Sequence, residues 1–343
     1  VRNQPQECSL TVLDGKIISL GSVDPSAKTI DLHGVTVTPG ITDAHFHLKN
    51  FGKQLEQLPL KGKTSVIEIT EMVREKLSKT PTGSWITGFG WDQSLWSVRE
   101  FPKREILNSI ATEHPVMLTR IDGHSIWVND VALQLAGYDV NDPISPEGGQ
   151  IINGCILLDN AINLVRDAQP DDSFENVKRW IKTAAYTASE RGITNVHDAW
   201  QDINTVNAIK ELIVEDDFPI RCYGMLASAF PELLDEHFNS GHYNSEKYTI
   251  RSVKAFIDGA LGSRGAALLE PYSDDHQNCG LILISPKEFT DLAKRCIRAK
   301  FQLCTHAIGD RGNRMVLDVY EDSIKNVPNH RWRIEHAQMV TDE

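Results

Sequence analysis

From residue 174 to its end, the chain alternates amphipathic helices with short apolar strands, and this alternation restricts the fold strongly. Helices are predicted over 174–191, 287–300 and 311–325. Strands are predicted over 193–197, 220–225, 253–257, 303–307 and 332–337. Strands that are joined through helices pair in parallel. The pattern therefore predicts a mixed α/β fold built from parallel βα units.

Histidines stand at the ends of several of these strands. An apolar strand over 41–47 ends in His45 and His47, which are one residue apart, so both imidazoles point the same way and can reach one ion. Two later strands end on His306 and His336, and another carries Lys254 among apolar residues. In a (β/α)8 barrel, catalytic residues converge at the carboxyl ends of the strands. We therefore expect a metal site at the mouth of such a barrel.

Together these segments resemble the amidohydrolase superfamily of metal-dependent hydrolases, over about residues 35–338. The resemblance implies that His45 and His47 are metal ligands from the first strand of a (β/α)8 TIM barrel. It implies that Lys254, on the fourth strand, is carboxylated and bridges two metals. It also implies that His306 and His336 are ligands from the fifth and sixth strands and form the catalytic set with Lys254.

Three further blocks are similar to the YtcJ-like branch of that superfamily, which includes the N-substituted formamide deformylases. They are the segments at 120–124, 258–264 and 306–310. Each block alone carries little information, whereas their joint occurrence in this order is specific. The resemblance implies hydrolysis of an amide-type small molecule.

The chemistry of these residue types accounts for the implied roles. Neutral imidazoles bind zinc well, and a catalytic metal lowers the pKa of a bound water to about 7. One or two divalent ions are the expected cofactor, with zinc the expected element. A free ammonium at Lys254 would repel the metals, whereas carboxylation turns this side chain into an anionic ligand. The alternative is a lysine whose tip reaches solvent past the strand end.

The chain departs from the family pattern at its end. Members place a metal-binding, proton-shuttling aspartate at the end of the eighth strand, whereas this sequence stops at Glu343, shortly after the sixth. Asp342 follows His336 too closely to belong to a later strand, and the sequence begins with Val1. We therefore expect a fragment of a longer polypeptide, with an incomplete barrel over residues 41–343 that is inactive by itself.

The remaining segments are assigned to two other parts. Residues 1–40 show strand-like alternation and predict part of a small flanking β-sandwich. Residues 50–170 are predicted to form a long insertion after the first barrel strand. Its first helix follows a capping box formed by Ser65 and Glu68. Two of its strands are predicted at 85–89 and 115–119.

Three residues are predicted to contact substrate: Asp122, His124 and Arg264. His124 and Arg264 each have a structural alternative, since a lone histidine is often structural and an arginine often forms a plain ion pair. His197, at the end of the second strand, either orients a metal ligand or packs in the core. Trp91 and Trp96 indicate either a lid or the core of the insertion. Asp310 is predicted to cap the helix that follows it.

Composition excludes several classes of partner. The net charge of −12 argues against nucleic acid and anionic membranes, because both favour basic surfaces. The six cysteines show no CxxC spacing, which is typical of reduced thiols in a cytoplasmic protein. The true N-terminus is not visible, so a signal peptide is not excluded. No apolar run approaches the roughly 20 residues that span a bilayer. Self-association is expected, because a partial barrel leaves strand edges unpaired.

The leading prediction is a metal-dependent hydrolase that cleaves an amide or related C–N bond, other than a peptide bond, with metal-activated water. One alternative is a catalytically inert amidohydrolase-like protein with a binding or regulatory role, or an inactive fragment. A second is a mononuclear deaminase, which would not need Lys254. The fold alone does not separate these, because one barrel supports many reactions.

Overall fold

The computed structural model describes residues 9–342, with gaps at 22–23, 25, 124, 141–143, 147–148, 160, 171 and 263. The predicted substrate residue His124 therefore lies outside the described residues. The described parts contain three sheets, with two, seven and six strands. The seven-stranded sheet is the barrel and carries the histidines.

Six parallel strands form the barrel and are numbered here in chain order. They are Ile41–Phe46, Ile193–Gln201, Arg221–Ala227, Tyr248–Phe256, Gln302–Ala307 and Arg333–His336. Each pairs in parallel with its neighbour in the chain, and a short strand, Tyr243–Asn244, pairs antiparallel with the fourth. The mixed α/β fold with a nearly closed parallel barrel is as predicted. The first and sixth strands lie at the two edges of this sheet.

Helices connect the barrel strands. They are Leu48–Glu56, Phe174–Glu190, Ile203–Val214, Pro231–Ser240, Pro286–Ala299 and Asp310–Ile324. The three helices predicted from the sequence are confirmed to within one residue at each end. Their apolar faces pack against the outer sides of the strands in one continuous core. The sequence pattern did not predict the helix Leu48–Glu56. Only Leu48 and Gly52 of this helix are buried, so it shows no clear stripe of apolar residues.

The predicted cap at Asp310 is wrong. The helix begins at Asp310 itself, with Gly309 as the N-cap residue and no side-chain cap. The Asp310 carboxylate instead accepts hydrogen bonds from the backbone N–H groups of Leu269 and Arg311, both at 2.8 Å. It therefore links the loop after the fourth strand to this helix.

Residues 58–159 build a separate six-stranded sheet. In spatial order its strands are Leu58–Pro59, Ile86–Trp91, Val116–Arg120, Ser125–Val128, Ile156–Asp159 and Gly149–Ile152. Helices Val66–Leu77, Arg104–Asn108, Asp130–Leu135 and Ala161–Asp167 accompany it, with a 3₁₀ turn at Gln93–Leu95.

The Ser65 hydroxyl accepts from Glu68 N, while the Glu68 carboxylate accepts from Thr64 N instead of completing the predicted box. Trp91 and Trp96 are buried in the core of this sheet and do not form a lid.

The N-terminal segment forms a two-stranded antiparallel hairpin, Leu10–Leu13 with Lys16–Leu20. The predicted flanking β-sandwich is therefore not confirmed by the described residues, and the division of the chain into domains stays a prediction. Several large apolar side chains of this segment are exposed, including Ile17 and Val35.

Among the described residues, no helix combines the length and apolar character that a membrane crossing requires.

Candidate metal centre

The four predicted histidine ligands lie together at the carboxyl ends of the first, fifth and sixth barrel strands. The ring centroid of His45 is 5.2 Å from that of His47 and 4.7 Å from that of His336. His336 is in turn 4.7 Å from His306. His47 occupies the N-cap position of the helix Leu48–Glu56, so the start of this helix sets its backbone. The four rings form one continuous group.

Lys254 lies inside the barrel beside this group. It is on the fourth strand, paired with Cys304 of the fifth, and is fully buried. Its Nζ stands 4.2 Å from the ring centroid of Phe256, which contacts the His306 ring. Among the described residues, Nζ has no hydrogen-bond partner. The alternative in which the lysine tip reaches solvent is therefore wrong.

Burial sets the protonation of these groups. The pKa values of His47 and His336 are lowered to about 4, mainly by burial and further by the neighbouring imidazoles. Burial also lowers the pKa of His306, and it lowers the pKa of Lys254 to about 8. A neutral imidazole keeps a lone pair on one ring nitrogen. His47, His306 and His336 are therefore held in the neutral form that binds metals.

The donor set fits a metal ion. Within the described parts, no three His, Cys, Asp or Glu side chains already stand in a metal-enclosing arrangement. However, the buried Nδ1 of His306 and Nζ of Lys254 both lack partners in the same parts of the chain. Buried polar atoms are normally satisfied, and two unsatisfied nitrogens beside clustered imidazoles suit an absent ligand or ion. The roles of the individual residues stay predictions.

Two charged residues of the sixth strand, not singled out from the sequence, contact the histidine group. Glu335 Oε2 lies 2.5 Å from His45 Nδ1, and Arg333 Nε donates to Glu335 Oε1 at 2.5 Å. Arg333 also donates to His197 Nδ1 at 3.1 Å, so His197 is joined to the ligand group through this arginine. The sequence feature that could have identified these two residues is the spacing Arg-x-Glu on a strand, which places both side chains on one face.

A buried carboxylate at Asp258 organises the loop that follows His306. It accepts hydrogen bonds from the backbone N–H groups of Ala267, Ile308 and Gly309 at 2.8–2.9 Å. Its Oδ1 lies 3.4 Å from His306 Nε2. The segment that follows the fourth strand therefore holds the end of the fifth strand in position.

Asp198, on the second strand, has a similar relation to His47. Its carboxylate accepts from Leu48 N and from Gln201 Nε2, both at 2.8 Å. Gln201 Oε1 accepts from the buried Tyr248 hydroxyl at 2.6 Å. Burial raises the pKa of Asp198 to about 6. This carboxylate thus binds the first N–H of the helix that begins after His47.

Two of the predicted substrate residues form ion pairs. Asp122 pairs with Arg120, which also reaches Asp92 at 3.1 Å. Arg264 is exposed and pairs with Asp274 at 2.9 Å. The ion pair of Arg264 is the contact expected in its structural alternative, and a substrate role for both residues stays a prediction.

Comparison with known proteins decides the family. The sequence profile of the amidohydrolase family matches residues 28–343. The chain belongs to the amidohydrolase family. This assignment confirms the resemblance inferred from the motifs, and the relatives described next confirm the YtcJ-like branch.

Three relatives of this amidohydrolase chain come from a plant and from bacteria. It is 30% identical to Protein LONG AFTER FAR-RED 3 of Arabidopsis thaliana, covering 96% of this chain and 61% of that protein. It is 28% identical to the putative amidohydrolase YtcJ of Bacillus subtilis, covering 97% and 65%. It is 26% identical to the N-substituted formamide deformylase of Arthrobacter pascens, covering 92% and 61%. The chain thus spans less than two thirds of each of these relatives.

The crystal structure of an uncharacterised metal-dependent hydrolase from Pyrococcus horikoshii has a similar fold. It superposes with a TM-score of 0.73 and 28% sequence identity, covering 89% of this chain and 59% of the other. The amidohydrolase chain therefore shares its parallel-strand barrel with a solved metal-dependent hydrolase.

Proposed function

We propose that this chain carries the metal centre of a hydrolase that cleaves an amide or related C–N bond of a small molecule with metal-activated water. The observation that carries the proposal is the convergence of four imidazoles and one buried lysine that has no hydrogen-bond partner in the described parts of the chain. The relatives from Bacillus and Arthrobacter, a putative amidohydrolase and an N-substituted formamide deformylase, support the class of bond.

One or two divalent ions, with zinc the expected element, are the proposed cofactor. The proposed ligands are His45, His47, Lys254, His306 and His336. When bound, such an ion lowers the pKa of a coordinated water to about 7 and polarises a carbonyl oxygen. The protein's own contribution is to hold neutral imidazoles at the strand ends, with a packed core beneath them. This arrangement keeps the ligands rigid and partly excludes water.

Carboxylation of Lys254 is part of the proposal. The amine nitrogen adds to the carbon of carbon dioxide and releases one proton, which leaves an N-carboxylate with one negative charge. Support comes from burial, because an isolated ammonium inside a protein is costly, and Nζ has no partner among the described residues. The two new oxygens would each be able to bind one metal. The buried lysine thus becomes an anionic ligand where cations are expected.

Metal analysis of the Lys254→Ala protein tests this function. We expect the purified protein to bind two equivalents of zinc by mass spectrometry, and Lys254→Ala to bind one or none. Lys247→Ala is the control, because it removes a lysine that is only partly buried and that contacts Asp216 and the Phe218 carbonyl, away from the histidines. Two tightly bound zinc ions in Lys254→Ala would contradict the bridging role.

The same measurements separate the alternatives. A mononuclear deaminase would bind one zinc ion in both proteins and release ammonia from an amine substrate. A catalytically inert relative that lacks a metal site would bind zinc in neither protein. A cytoplasmic location stays a prediction from the cysteine pattern.

A further inference from the structure

Glu335 joins two barrel strands that do not pair with each other in the sheet. It lies on the sixth strand and is only 7% exposed. One carboxylate oxygen contacts His45 Nδ1 on the first strand at 2.5 Å, and the other accepts from Arg333 Nε at 2.5 Å. Both oxygens are thus engaged, one by an imidazole and one by a guanidinium.

The contact with His45 determines which ring nitrogen is free. A neutral imidazole has one N–H and one lone pair, and a carboxylate accepts a hydrogen bond only from the N–H. In the neutral form of His45 the proton must then be on Nδ1, which leaves the lone pair on Nε2. In metalloproteins, a carboxylate behind a ligating imidazole fixes the tautomer and the ring orientation and makes the metal-facing nitrogen more basic.

Arg333 restrains this carboxylate from the opposite side. Its Nη2 donates to the carbonyl of Ala44 at 3.1 Å, so the same guanidinium holds Glu335 and the backbone next to His45. Its Nη1 donates to His197 Nδ1 at 3.1 Å. A planar guanidinium can make these bonds together, because its donors diverge in a rigid fork. The ring of His45 is therefore held through its own strand and through the sixth strand.

We propose that Glu335 is a positioning residue that presents Nε2 of His45 to a metal ion, and that Arg333 holds Glu335 in the orientation this requires. The inference rests on the proposed function, in which His45 is a metal ligand. It adds a residue that contacts the ligand from behind and does not itself bind the ion.

Cobalt titration of the full chain tests the proposal. Co²⁺ is added to metal-free protein, and its visible absorption reports both affinity and ligand geometry. Glu335→Gln keeps the size of the side chain but removes its charge, and we expect its cobalt affinity to fall by roughly 10- to 100-fold, with a changed absorption band. Equal affinity and an identical band in Glu335→Gln and the wild type would overturn the inference.

Asp130→Asn is the matched control. Asp130 accepts from Arg104 Nε at 2.5 Å, the same distance as the Arg333 to Glu335 bond, but it begins the helix Asp130–Leu135, which accompanies the six-stranded sheet. We expect its cobalt affinity to equal that of the wild type. If Asp130→Asn lost affinity as strongly as Glu335→Gln, the effect would be one of general stability and the inference would fail. A wild-type protein that binds no cobalt would overturn the proposed function and this inference with it.

A measurement on the wild type alone covers the case in which Glu335→Gln does not fold. The ¹⁵N chemical shifts of labelled histidines distinguish a protonated Nδ1 from a protonated Nε2, and the His45 signals are identified by their loss in His45→Gln. We expect His45 to carry its proton on Nδ1 in the metal-free protein. A proton on Nε2 would contradict the positioning role.

Discussion

At the scale of single residues, buried carboxylates hold the predicted ligands in place. Asp198 accepts from the N–H that follows His47, and Asp258 accepts from two N–H groups shortly after His306. Glu335 contacts His45 directly. A buried carboxylate is costly unless hydrogen bonds compensate it, and each of these has at least two partners. The site therefore depends on residues that are not ligands.

Asp198 should make stability depend on pH. Burial raises its pKa from 3.8 to about 6, so folding favours its protonated form. The protonated carboxyl group stabilises the fold fully below about pH 3.8, and this stabilisation is lost as the pH rises through about 6. The resulting change in the free energy of unfolding is on the order of 3 kcal/mol. Asp198→Asn cannot ionise. Its free energy of unfolding, relative to the wild type, should therefore increase between pH 4.5 and 7.5 in urea titrations.

The exposed Asp291 provides the control for this experiment. The difference in unfolding free energy between Asp291→Asn and the wild type should change little over the same pH range. A difference for Asp198→Asn that is equally independent of pH would show that Asp198 titrates normally in the folded protein.

At the scale of secondary-structure elements, the position of His47 depends on how two helices cross. The helix Leu48–Glu56 packs on Phe174–Glu190, and a Cβ at Gly52 would lie 2.0 Å from the carbonyl oxygen of Trp180. Glu56 Oε2 accepts from Trp180 Nε1 at 2.7 Å at the same contact. Because His47 occupies the N-cap position of the first of these helices, we expect a change in the crossing to displace this predicted ligand.

Gly52→Ala should therefore be destabilising. In an isolated helix, alanine is favoured over glycine by about 1 kcal/mol. Here the added methyl group overlaps backbone atoms, so we expect a loss of roughly 1–3 kcal/mol in the free energy of unfolding. Zinc affinity should fall as well, because His47 is displaced. Urea denaturation and zinc competition would measure the two effects.

Asn50→Ala, at an exposed position of the same helix, is the matched control for Gly52→Ala. It should leave both stability and zinc affinity within a few tenths of a kcal/mol of the wild type, since surface changes are usually small. If Gly52→Ala were as stable as Asn50→Ala, the close helix crossing would not exist in solution.

At the scale of the whole molecule, the N-terminal segment and the barrel edges leave apolar surface uncovered. Ile17, Ile30 and Val35 are 65%, 73% and 69% exposed. The first and sixth strands lie at the edges of the barrel sheet, and unpaired edges favour pairing between chains. Large apolar side chains exposed in this number favour association with another surface.

We therefore predict that the 343-residue chain self-associates when it is expressed alone. Light scattering after size-exclusion chromatography should give a mass above the 38.4 kDa of one chain. Lys substitutions at Ile17 and Val35 together should lower that mass. Val214→Lys, at a position that is 87% exposed at a helix end, should not. A wild-type protein that stays monomeric at every concentration would contradict the prediction.

The sequence by itself determined the barrel strands, their order and the histidines at their ends. These features depend on local signals: alternating apolar residues define a strand, an amphipathic period defines a helix, and the chain order of βα units predicts parallel pairing. The helix Phe174–Glu190 was predicted in this way. So were the positions of His306 and His336, because a polar residue that ends an apolar strand is visible without any knowledge of its neighbours.

Only the tertiary structure decided which side chains meet. His45 and Glu335 are 290 residues apart in the chain, and no local pattern indicates that they touch. The same holds for Asp258 and its backbone partners near Ile308, and for Trp91, whose place in the insertion core follows from packing. Such contacts depend on how the strands twist and close, which is a property of all the barrel strands together and not of any single segment.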